Sequence, residues 1–273
     1  MNLLPNKWVH MKQPAGFVDP QFPNHVCRLQ RSLYGLKQAP RAWFDKFSDY
    51  LLQLDFQESK CDYFLFVYNQ QGVYLILLIY VDDILLTGND PVQVSHLIRR
   101  LSTLFSMKDL RKLHYFLGIE VTYAGDFMHL TQSKYALDLL QHTKFLDAKP
   151  ISTPVSGGQK LSAYVGEPHT NPETYRSIVG ALQYLTITRL DLSYAVNQVC
   201  QFMHSLKTPH WLAVKRILRY LKSSYDCGIV YKPSSLQVSA FSDADYAGDL
   251  DSRHSIGGYC VYVAALIQTH YLV

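Results

Sequence analysis

A short, dense run of apolar residues extends from Val73 to Tyr80 in this 273-residue chain. Eight residues are too few to span a bilayer as a helix, and the run predicts a buried strand. Residues 84 to 87 predict a second strand that returns beside the first. Between the strands stand two neighbouring carboxylates, Asp82 and Asp83. Because a charged group is costly to bury without a partner, we expect a tight turn that presents both acids at one rim.

The surrounding pattern predicts helices and hairpins. Residues 40 to 54 and 132 to 144 show helical periodicity, and residues 115 to 131 alternate as a hairpin. Asp90 and Pro91 predict another helix start, since aspartate caps a helix and proline fits its first turn. The expected core stripe of that helix consists of Val94, Leu97, Ile98, Leu101 and Leu104. This order predicts an α+β fold with helices covering one face of an antiparallel sheet.

The pattern changes after residue 147. Residues 147 to 173 hold four prolines and a Gly-Gly pair, which predicts a linker or an extended segment. Three helical patterns follow, and then three candidate strands of a second sheet. The helical patterns cover about 173–187, 190–204 and 209–223, and the strands cover 228–232, 238–242 and 259–263.

Bulk composition narrows the class of protein. Hydrophobic residues make up 48% of the chain and aromatic residues 13%, enough to build packed domains. The five cysteines are scattered and never spaced as CxxC, which indicates reduced thiols in an intracellular protein and argues against a zinc site. No signal peptide or stretch of about 20 apolar residues occurs, so we expect no membrane partner.

Three groups of residues are candidates for chemistry. Asp82 and Asp83 could hold a hard divalent cation, or could form an ordinary solvated turn. Asp243 and Asp245 at a strand end could likewise bind a metal or simply end the strand. Basic and aromatic residues alternate over 27 to 47, which suits phosphate contacts and base stacking but also an amphipathic helix with a solvated flank. In this stretch the aromatic residues are Tyr34, Trp43, Phe44 and Phe47.

A further cationic surface is predicted near residue 220. Lys215, Arg219 and Lys222 share one face of the third helical pattern, and no acid occurs between Leu192 and Tyr225. These cations could follow a nucleic-acid backbone, and a solvated face is the equal alternative.

Five motifs in one order carry a family resemblance. From about residue 8 to residue 263 the chain resembles the reverse transcriptase of copia-type long-terminal-repeat retrotransposons. The motifs are SLYGLKQAPRAWF at 32–44, YVDDILLTG at 80–88, YFLGIEV at 115–121, YRSIVGALQYLTITR at 175–189 and FSDADYAGD at 241–249. Together they favour the metal-binding interpretation of the two neighbouring aspartates.

The resemblance implies a right-hand polymerase in three parts. Residues 1–147 would form the fingers and palm, 148–223 a helical thumb or connection, and 224–273 the start of a ribonuclease H-like domain. Asp82 and Asp83 would be catalytic and bind magnesium (Mg2+), and Asp243 would be the first metal-binding carboxylate of the ribonuclease H site.

The same resemblance assigns further roles. It implies a site for the nucleotide and the template, and a primer grip made by Phe116, Leu117 and Gly118. The partners would be an RNA template, a DNA primer, deoxynucleoside triphosphates and the rest of the Pol polyprotein. The activity would be RNA-directed DNA synthesis by two-metal nucleotidyl transfer, in cytoplasmic virus-like particles or the nucleus. The nucleotide and template residues would be Gly35, Leu36, Lys37, Gln38 and Arg41.

The chain departs from the family pattern before the MKQPAGF segment at 11–17. The family carries another catalytic aspartate on a strand there, yet residues 1–18 contain no acid, and Asp19 is a poor substitute. We therefore expect the isolated chain to be inactive and the Asp82–Asp83 hairpin to have an unpaired edge. The sequence also supplies only part of the set of acids that a ribonuclease H site needs.

The alternatives to a polymerase fragment are a non-catalytic nucleic-acid-binding module and a non-functional relic.

Overall fold

The computed structural model describes residues 9–30, 36–37, 39–81, 83–158, 160–232, 238–263 and 269–272. The chain divides into two compact units. Residues 1–113 and 267–273 form unit 1, and residues 114–266 form unit 2. Both units combine helices with antiparallel sheets, so the predicted α+β class with antiparallel sheets is confirmed at this level.

Unit 1 is built on a six-stranded antiparallel sheet. In spatial order its strands are β3 (Gln57–Glu58), β4 (Leu65–Gln70), β5 (Val73–Tyr80), β6 (Asp83–Gly88), β14 (Thr269–Leu272) and β7 (Asp109–Lys112). A separate pair, β1 (His10–Lys12) and β2 (Val26–Arg28), brackets a loop. The predicted strand over 73–80 has the observed bounds, and its partner extends the predicted 84–87 by one residue at each end.

The edge of β6 is not unpaired, so that prediction is wrong. Residues 269–272 of β14 pair antiparallel with Ile84 to Thr87, and β7 then pairs with the far side of β14. The side chains of Ile84 and Leu86 are fully buried. A strand in this position needs hydrogen-bonding neighbours on both sides, because water cannot reach its backbone.

Two helices cover the sheet of unit 1 through a shared apolar cluster. They are α1 (Ala39–Gln53) and α2 (Pro91–Phe105). Asp90 caps α2 as predicted, and its carboxylate accepts hydrogen bonds from the backbone amides of Val92 and Gln93 at 2.8 and 3.2 Å. The predicted core stripe is wrong at its last member, since Leu104 is 44% exposed and Phe105 is buried. The helical repeat of 3.6 residues places position 105, four after Leu101, on the buried face.

Unit 2 contains a helical bundle and two small sheets. The first sheet has the order β11-β10-β9-β8 and the second pairs β12 with β13. The strands are β8 (Tyr115–Phe116), β9 (Ile119–Ala124), β10 (Phe127–Thr131), β11 (Gly228–Tyr231), β12 (Val238–Ala244) and β13 (Gly257–Val263). The helices are α3 (Ser133–His142), α4 (Pro172–Leu185), a 3-10 turn (Leu190–Leu192), α5 (Ser193–Cys200) and α6 (Thr208–Ser223).

A single apolar cluster joins the four α-helices of the bundle. Residues fully buried in this cluster include Leu140 of α3, Leu182 of α4, Val214 and Leu218 of α6. Trp211 of α6 is only half-buried. The pattern over 190–204 predicts one helix, but the structure has the 3-10 turn followed by the shorter α5.

The bundle contains one nearly buried charge. Arg189 is 2% exposed and donates hydrogen bonds to both carboxylate oxygens of Asp191 at 2.9 and 2.7 Å. It also donates to the backbone carbonyl and the hydroxyl of Ser224. Burial opposes the charge on Asp191, but hydrogen bonds from Arg189 and Tyr220 outweigh it and lower the pKa of Asp191. Each nitrogen of the guanidinium therefore has a hydrogen-bond partner, as a buried charge needs.

The described residues of 143–171, which are all but 159, form no helix, and their strand pairing is an isolated bridge at Pro168. The segment is nevertheless held by the loop between β12 and β13 and by the bundle. Ser162 and Ala163 donate hydrogen bonds to the two carboxylate oxygens of Asp251, each at 2.6 Å. The carbonyl of Ser162 lies 3.1 Å from Nε2 of His210.

His210 is fully buried and neutral in this setting. Its Nδ1 accepts a hydrogen bond from the amide of Lys207 at 3.0 Å, so the ring proton resides on Nε2 and is donated to the carbonyl of Ser162. The ring stacks on Phe202 at 3.9 Å between centroids. Burial lowers the pKa of His210 below 6.5, against an opposing effect of the Ser162 hydrogen bond and the charge of Asp251.

In the part of the chain that the structure describes, every helix falls short of the length and apolarity needed to cross a bilayer. The five cysteines, all of them described, are free thiols.

Replacement of the α2 cap tests the local energetics of unit 1. We expect Asp90→Ala to lower the free energy of unfolding by about 1 kcal/mol, because two helix-end amides lose their acceptor. Asp90→Asn keeps an acceptor oxygen and should change stability much less. Urea unfolding followed by circular dichroism measures both, and equal losses in the two variants would contradict the capping role.

The buried histidine makes the stability of the chain depend on pH. The folded state holds His210 neutral, so it binds fewer protons than the unfolded chain, and its contribution is full above pH 6.5 and lost as pH falls below that value. In this range we expect a slope of up to about 1.4 kcal/mol per pH unit from this one group. His210→Asn should flatten the slope in urea unfolding, whereas His204→Gln, at an exposed position, should not. An unchanged slope in His210→Asn would contradict this account.

Candidate active site and nucleic-acid surfaces

The candidate site of unit 1 is the turn between β5 and β6. Tyr80 and Asp83 are the closing pair of the hairpin, and Val81 lies in the turn that follows Tyr80. Val81 has a φ of 56° and is 67% exposed. A β-branched residue in the left-handed region is strained, and such strain is typical of functional turns. Asp82 lies outside the described residues.

Asp83 begins β6 and is half-buried. Its carboxylate supplies hard oxygen donors of the kind that Mg2+ prefers. Among the described residues, no three histidine, cysteine or acidic side chains gather into a metal site. The carboxylate oxygens of Asp83 are donors of the type that suits a divalent cation. Asp82 is the second carboxylate that the sequence supplies next to it. Asp19 is exposed, and its carboxylate accepts a hydrogen bond from the amide of Gln21.

The predicted nucleotide and template residues are only partly described. Lys37 and Arg41 are exposed and Leu36 is half-buried, whereas Gly35 and Gln38 lie outside the described residues. Arg41 is in the first turn of α1.

The aromatic residues predicted to stack on bases have another role in α1. Phe47 is fully buried, and Trp43 stacks on it with centroids 5.0 Å apart. Phe44 packs edge-on against Phe64. The base-stacking interpretation is therefore wrong for Phe47, because helical spacing places it in the core; Tyr34 lies outside the described residues.

The predicted primer-grip residues form a tight turn in unit 2. Phe116 and Ile119 are the closing pair, and Leu117 and Gly118 between them both have positive φ, at 48° and 77°. Tyr184 donates its hydroxyl hydrogen bond to the carbonyl of Leu117. A Cβ on residue 118 would lie 2.9 Å from that hydroxyl, so glycine is required there both by conformation and by space.

Sequence reasoning missed Tyr184 as a residue that positions this turn. Its ring packs edge-on against Tyr135 of α3, 5.0 Å between centroids, which fixes the direction of the hydroxyl. The only signal in the sequence is its place in the 175–189 motif.

The predicted backbone-binding cations of α6 are engaged within unit 2. Arg219 donates from Nε to the carbonyl of Lys149 at 2.7 Å, and Lys222 donates from Nζ to the carbonyl of Ala148 at 2.9 Å. Lys215 lies over the ring of Trp211, 5.6 Å from its centroid. All three cations are half-buried. This face of α6 therefore binds the main chain of residues 148 and 149. Neither of the predicted alternatives, a nucleic-acid surface and a solvated face, included this contact.

Asp243 lies on β12, is exposed, and pairs with Gly258 across the hairpin. Asp245 accepts hydrogen bonds from the amides of Gly248 and Ile256, at 3.2 and 2.7 Å. The Asp245 carboxylate thus organises the loop between β12 and β13.

Comparison with known proteins places these observations in a family. Residues 3–157 match the family described as Reverse transcriptase (RNA-dependent DNA polymerase). The retrovirus-related Pol polyprotein from transposon RE1 of Arabidopsis thaliana is 50% identical over 256 residues, which cover 93% of this chain and 18% of that polyprotein. The corresponding polyprotein from transposon TNT 1-94 of Nicotiana tabacum is 36% identical over 262 residues, 92% of this chain and 20% of its own length.

A transposon Ty5-1 protein of Saccharomyces cerevisiae is 30% identical over 261 residues, which cover 94% of this chain and 84% of that protein. No solved structure shows a significant match. With the family match over more than half of its length, the chain belongs to the reverse transcriptase (RNA-dependent DNA polymerase) family, and its homologues are Pol polyproteins of copia-type retrotransposons.

Proposed function

We propose that these residues serve RNA-directed DNA synthesis, as the polymerase part of a retrotransposon Pol polyprotein. The observation that supports this most is the hairpin of β5 and β6, in which Val81 takes a strained positive φ immediately before the sequence positions of Asp82 and Asp83, in a chain of the reverse transcriptase family. The substrates would be a DNA primer paired to an RNA template, and deoxynucleoside triphosphates. The family relationship supports nucleic acid as the partner.

Asp82 and Asp83 would hold Mg2+ at the rim of the hairpin. When bound, Mg2+ supplies positive charge that lowers the pKa of a primer hydroxyl and neutralises a triphosphate as pyrophosphate leaves, in a two-metal transfer. The protein would hold the half-buried carboxylate of Asp83 at the start of β6, while alternate residues of β5 and β6 behind it are buried.

Lys37 and Arg41 would contact the triphosphate or template, and their exposure supports this role. Gly35, Leu36 and Gln38 would complete that site. Phe116, Leu117 and Gly118 would grip the primer through a turn whose shape Tyr184 fixes.

The finer architecture is part of the same proposal. Residues 1–147 would be fingers and palm, 148–223 thumb or connection, and 224–273 the start of a ribonuclease H-like domain in which Asp243 binds metal. The scattered free thiols support an intracellular location, in cytoplasmic virus-like particles or the nucleus.

We further propose that the 273-residue chain by itself does not synthesise DNA. The support is the absence of any acid from residues 1–18 of the sequence, which leaves Asp82 and Asp83 without a third carboxylate from that stretch. The match to the RE1 polyprotein covers 18% of that protein, so the activity would belong to a longer chain.

A chimaera tests both statements. We expect no primer extension from the isolated chain with a primed RNA template, Mg2+ and deoxynucleotides. We expect extension when the chain replaces its matching segment in the RE1 polyprotein, and a loss of about a hundredfold or more in Asp82→Asn or Asp83→Asn.

The exposed carboxylate of Asp49 on α1 provides a matched control, and Asp49→Asn should leave extension in the chimaera unchanged. Extension by the isolated chain that Asp82→Ala abolishes would overturn the inactivity. Undiminished extension in the Asp82 and Asp83 variants of the chimaera would overturn the catalytic assignment.

A second candidate function is nucleic-acid binding without catalysis, through the basic stretches 28–46 and 207–222. The exposure of Arg28, Lys37, Arg41 and Lys46 favours the first stretch. The internal contacts of Arg219 and Lys222 make the second a weaker candidate.

The salt dependence of nucleic-acid affinity distinguishes the two basic stretches. Each phosphate contact releases counterions, so we expect affinity for a labelled RNA–DNA duplex to fall steeply between about 50 and 200 mM salt. The double variant Lys37→Gln, Arg41→Gln should reduce the slope of log affinity against log salt by about two. Arg219→Gln should leave the slope unchanged. Fluorescence anisotropy measures the slopes, and binding that ignores salt would count against both basic stretches.

A further inference from the structure

The strand β14 occupies an unusual place in the sheet of unit 1. It arrives from the far end of the chain, yet it lies between β6 and β7, which are much closer to each other in sequence. On one side Thr269 to Leu272 pair with Thr87 to Ile84, and on the other side His270 and Leu272 pair with Lys112 and Asp109. The four residues are therefore an inserted strand and not an edge strand.

The position that β14 fills is one strand wide. Neighbouring strands lie about 4.8 Å apart, so β6 and β7, each paired to β14, are separated by about twice that distance. Neither strand can then satisfy the backbone groups of the other. Without a strand between them, the outer backbone groups of Ile84 to Thr87 would lack their β14 partners.

The need for a partner is strongest on β6. Ile84 and Leu86 are fully buried in the sheet that includes β14. A buried backbone donor or acceptor without a partner costs free energy comparable to a lost hydrogen bond. The residues of β7, by contrast, are all exposed and can be hydrated.

The sequence of residues 269 to 272, Thr-His-Tyr-Leu, suits this position. It contains no proline, so every residue offers a backbone N–H, and threonine and tyrosine favour strands. It also contains no acid, lysine or arginine, whose burial within a sheet would be costly.

We propose that the gap between β6 and β7 is a strand-acceptor site, which residues 269–272 of the same chain fill next to Asp83. The site takes an extended peptide antiparallel to β6, and recognises it by backbone hydrogen bonds on both sides. Leu272 pairs with Ile84, so the inserted strand ends one residue from the acidic turn. The proposal does not depend on polymerase activity, and its tests read none.

A disulfide in the full chain tests the register and the source of the strand. Thr87 and Thr269 are directly opposed, at the Cα spacing of about 4.5–5.5 Å that a disulfide accepts. We expect mild oxidation of the Thr87→Cys, Thr269→Cys variant to give an intramolecular disulfide, identified by peptide mapping without reduction. Thr87→Cys with His270→Cys is the matched control, because neighbouring residues of a strand point to opposite faces.

The disulfide experiment has two outcomes that overturn the proposal. A covalent dimer through these positions would mean that the strand comes from a second copy. Equal disulfide yields in the test and control pairs would mean that the register does not hold.

Hydrogen exchange tests the need for the strand. We expect His270→Pro, Tyr271→Pro in the full chain to raise about tenfold or more the exchange rate of those amides among residues 84–87 that face β14, because proline removes N–H groups and disrupts the pairing of this strand. Thr269→Ser keeps every backbone group and should leave the rates unchanged.

Addition of a free peptide of residues 264–273, AALIQTHYLV, to the proline variant should restore the protection, and the same peptide with both prolines should not. Equal protection of residues 84–87 in the proline and serine variants would overturn the proposal, as would failure of the intact peptide to restore it.

Discussion

A buried strand must have a hydrogen-bonding neighbour on each side, and most features of unit 1 follow from this requirement. The strands β5 and β6 carry fully buried residues such as Leu77 and Ile84, so their backbones are cut off from water. They satisfy each other along one edge, and β4 and β14 satisfy the outer edges. The connection between them has the opposite requirement, since two carboxylates must stay hydrated. At this connection Val81 is exposed in the left-handed region, and Asp83 at the start of β6 is only half-buried.

Local patterns in the sequence predict the elements of this arrangement well. The run Val73–Tyr80 is a strand with the predicted bounds, and Asp90 caps the helix that it is expected to cap. Both depend on neighbouring residues alone: apolar length in one case and capping chemistry in the other. The error at Leu104 is also local, because a stripe of 3.6-residue periodicity shifts by one position over several turns.

Long-range pairing could not be predicted in the same way. Nothing within Thr269–Leu272 identifies β6 as its partner, because backbone hydrogen bonds are similar for nearly all residues. The cations of α6 illustrate a related limit. Spacing correctly places Lys215, Arg219 and Lys222 on α6, but only the fold reveals that carbonyl groups of residues 148 and 149 are the partners of two of them. At the candidate site, the sequence gives the acids and the turn, whereas the role of Tyr184 depends on a contact across 67 residues.

The way in which α6 holds the segment before α4 has an evolutionary consequence. Arg219, Lys222 and the hydroxyl of Ser223 all bind main-chain carbonyls, of Lys149, Ala148 and Ile151. A carbonyl group is present whatever the side chain, so substitutions at positions 148, 149 and 151 leave these anchors intact. Selection on these three anchors therefore acts mainly on the helix, and positions 148, 149 and 151 are free to drift in sequence while the path of the main chain is preserved.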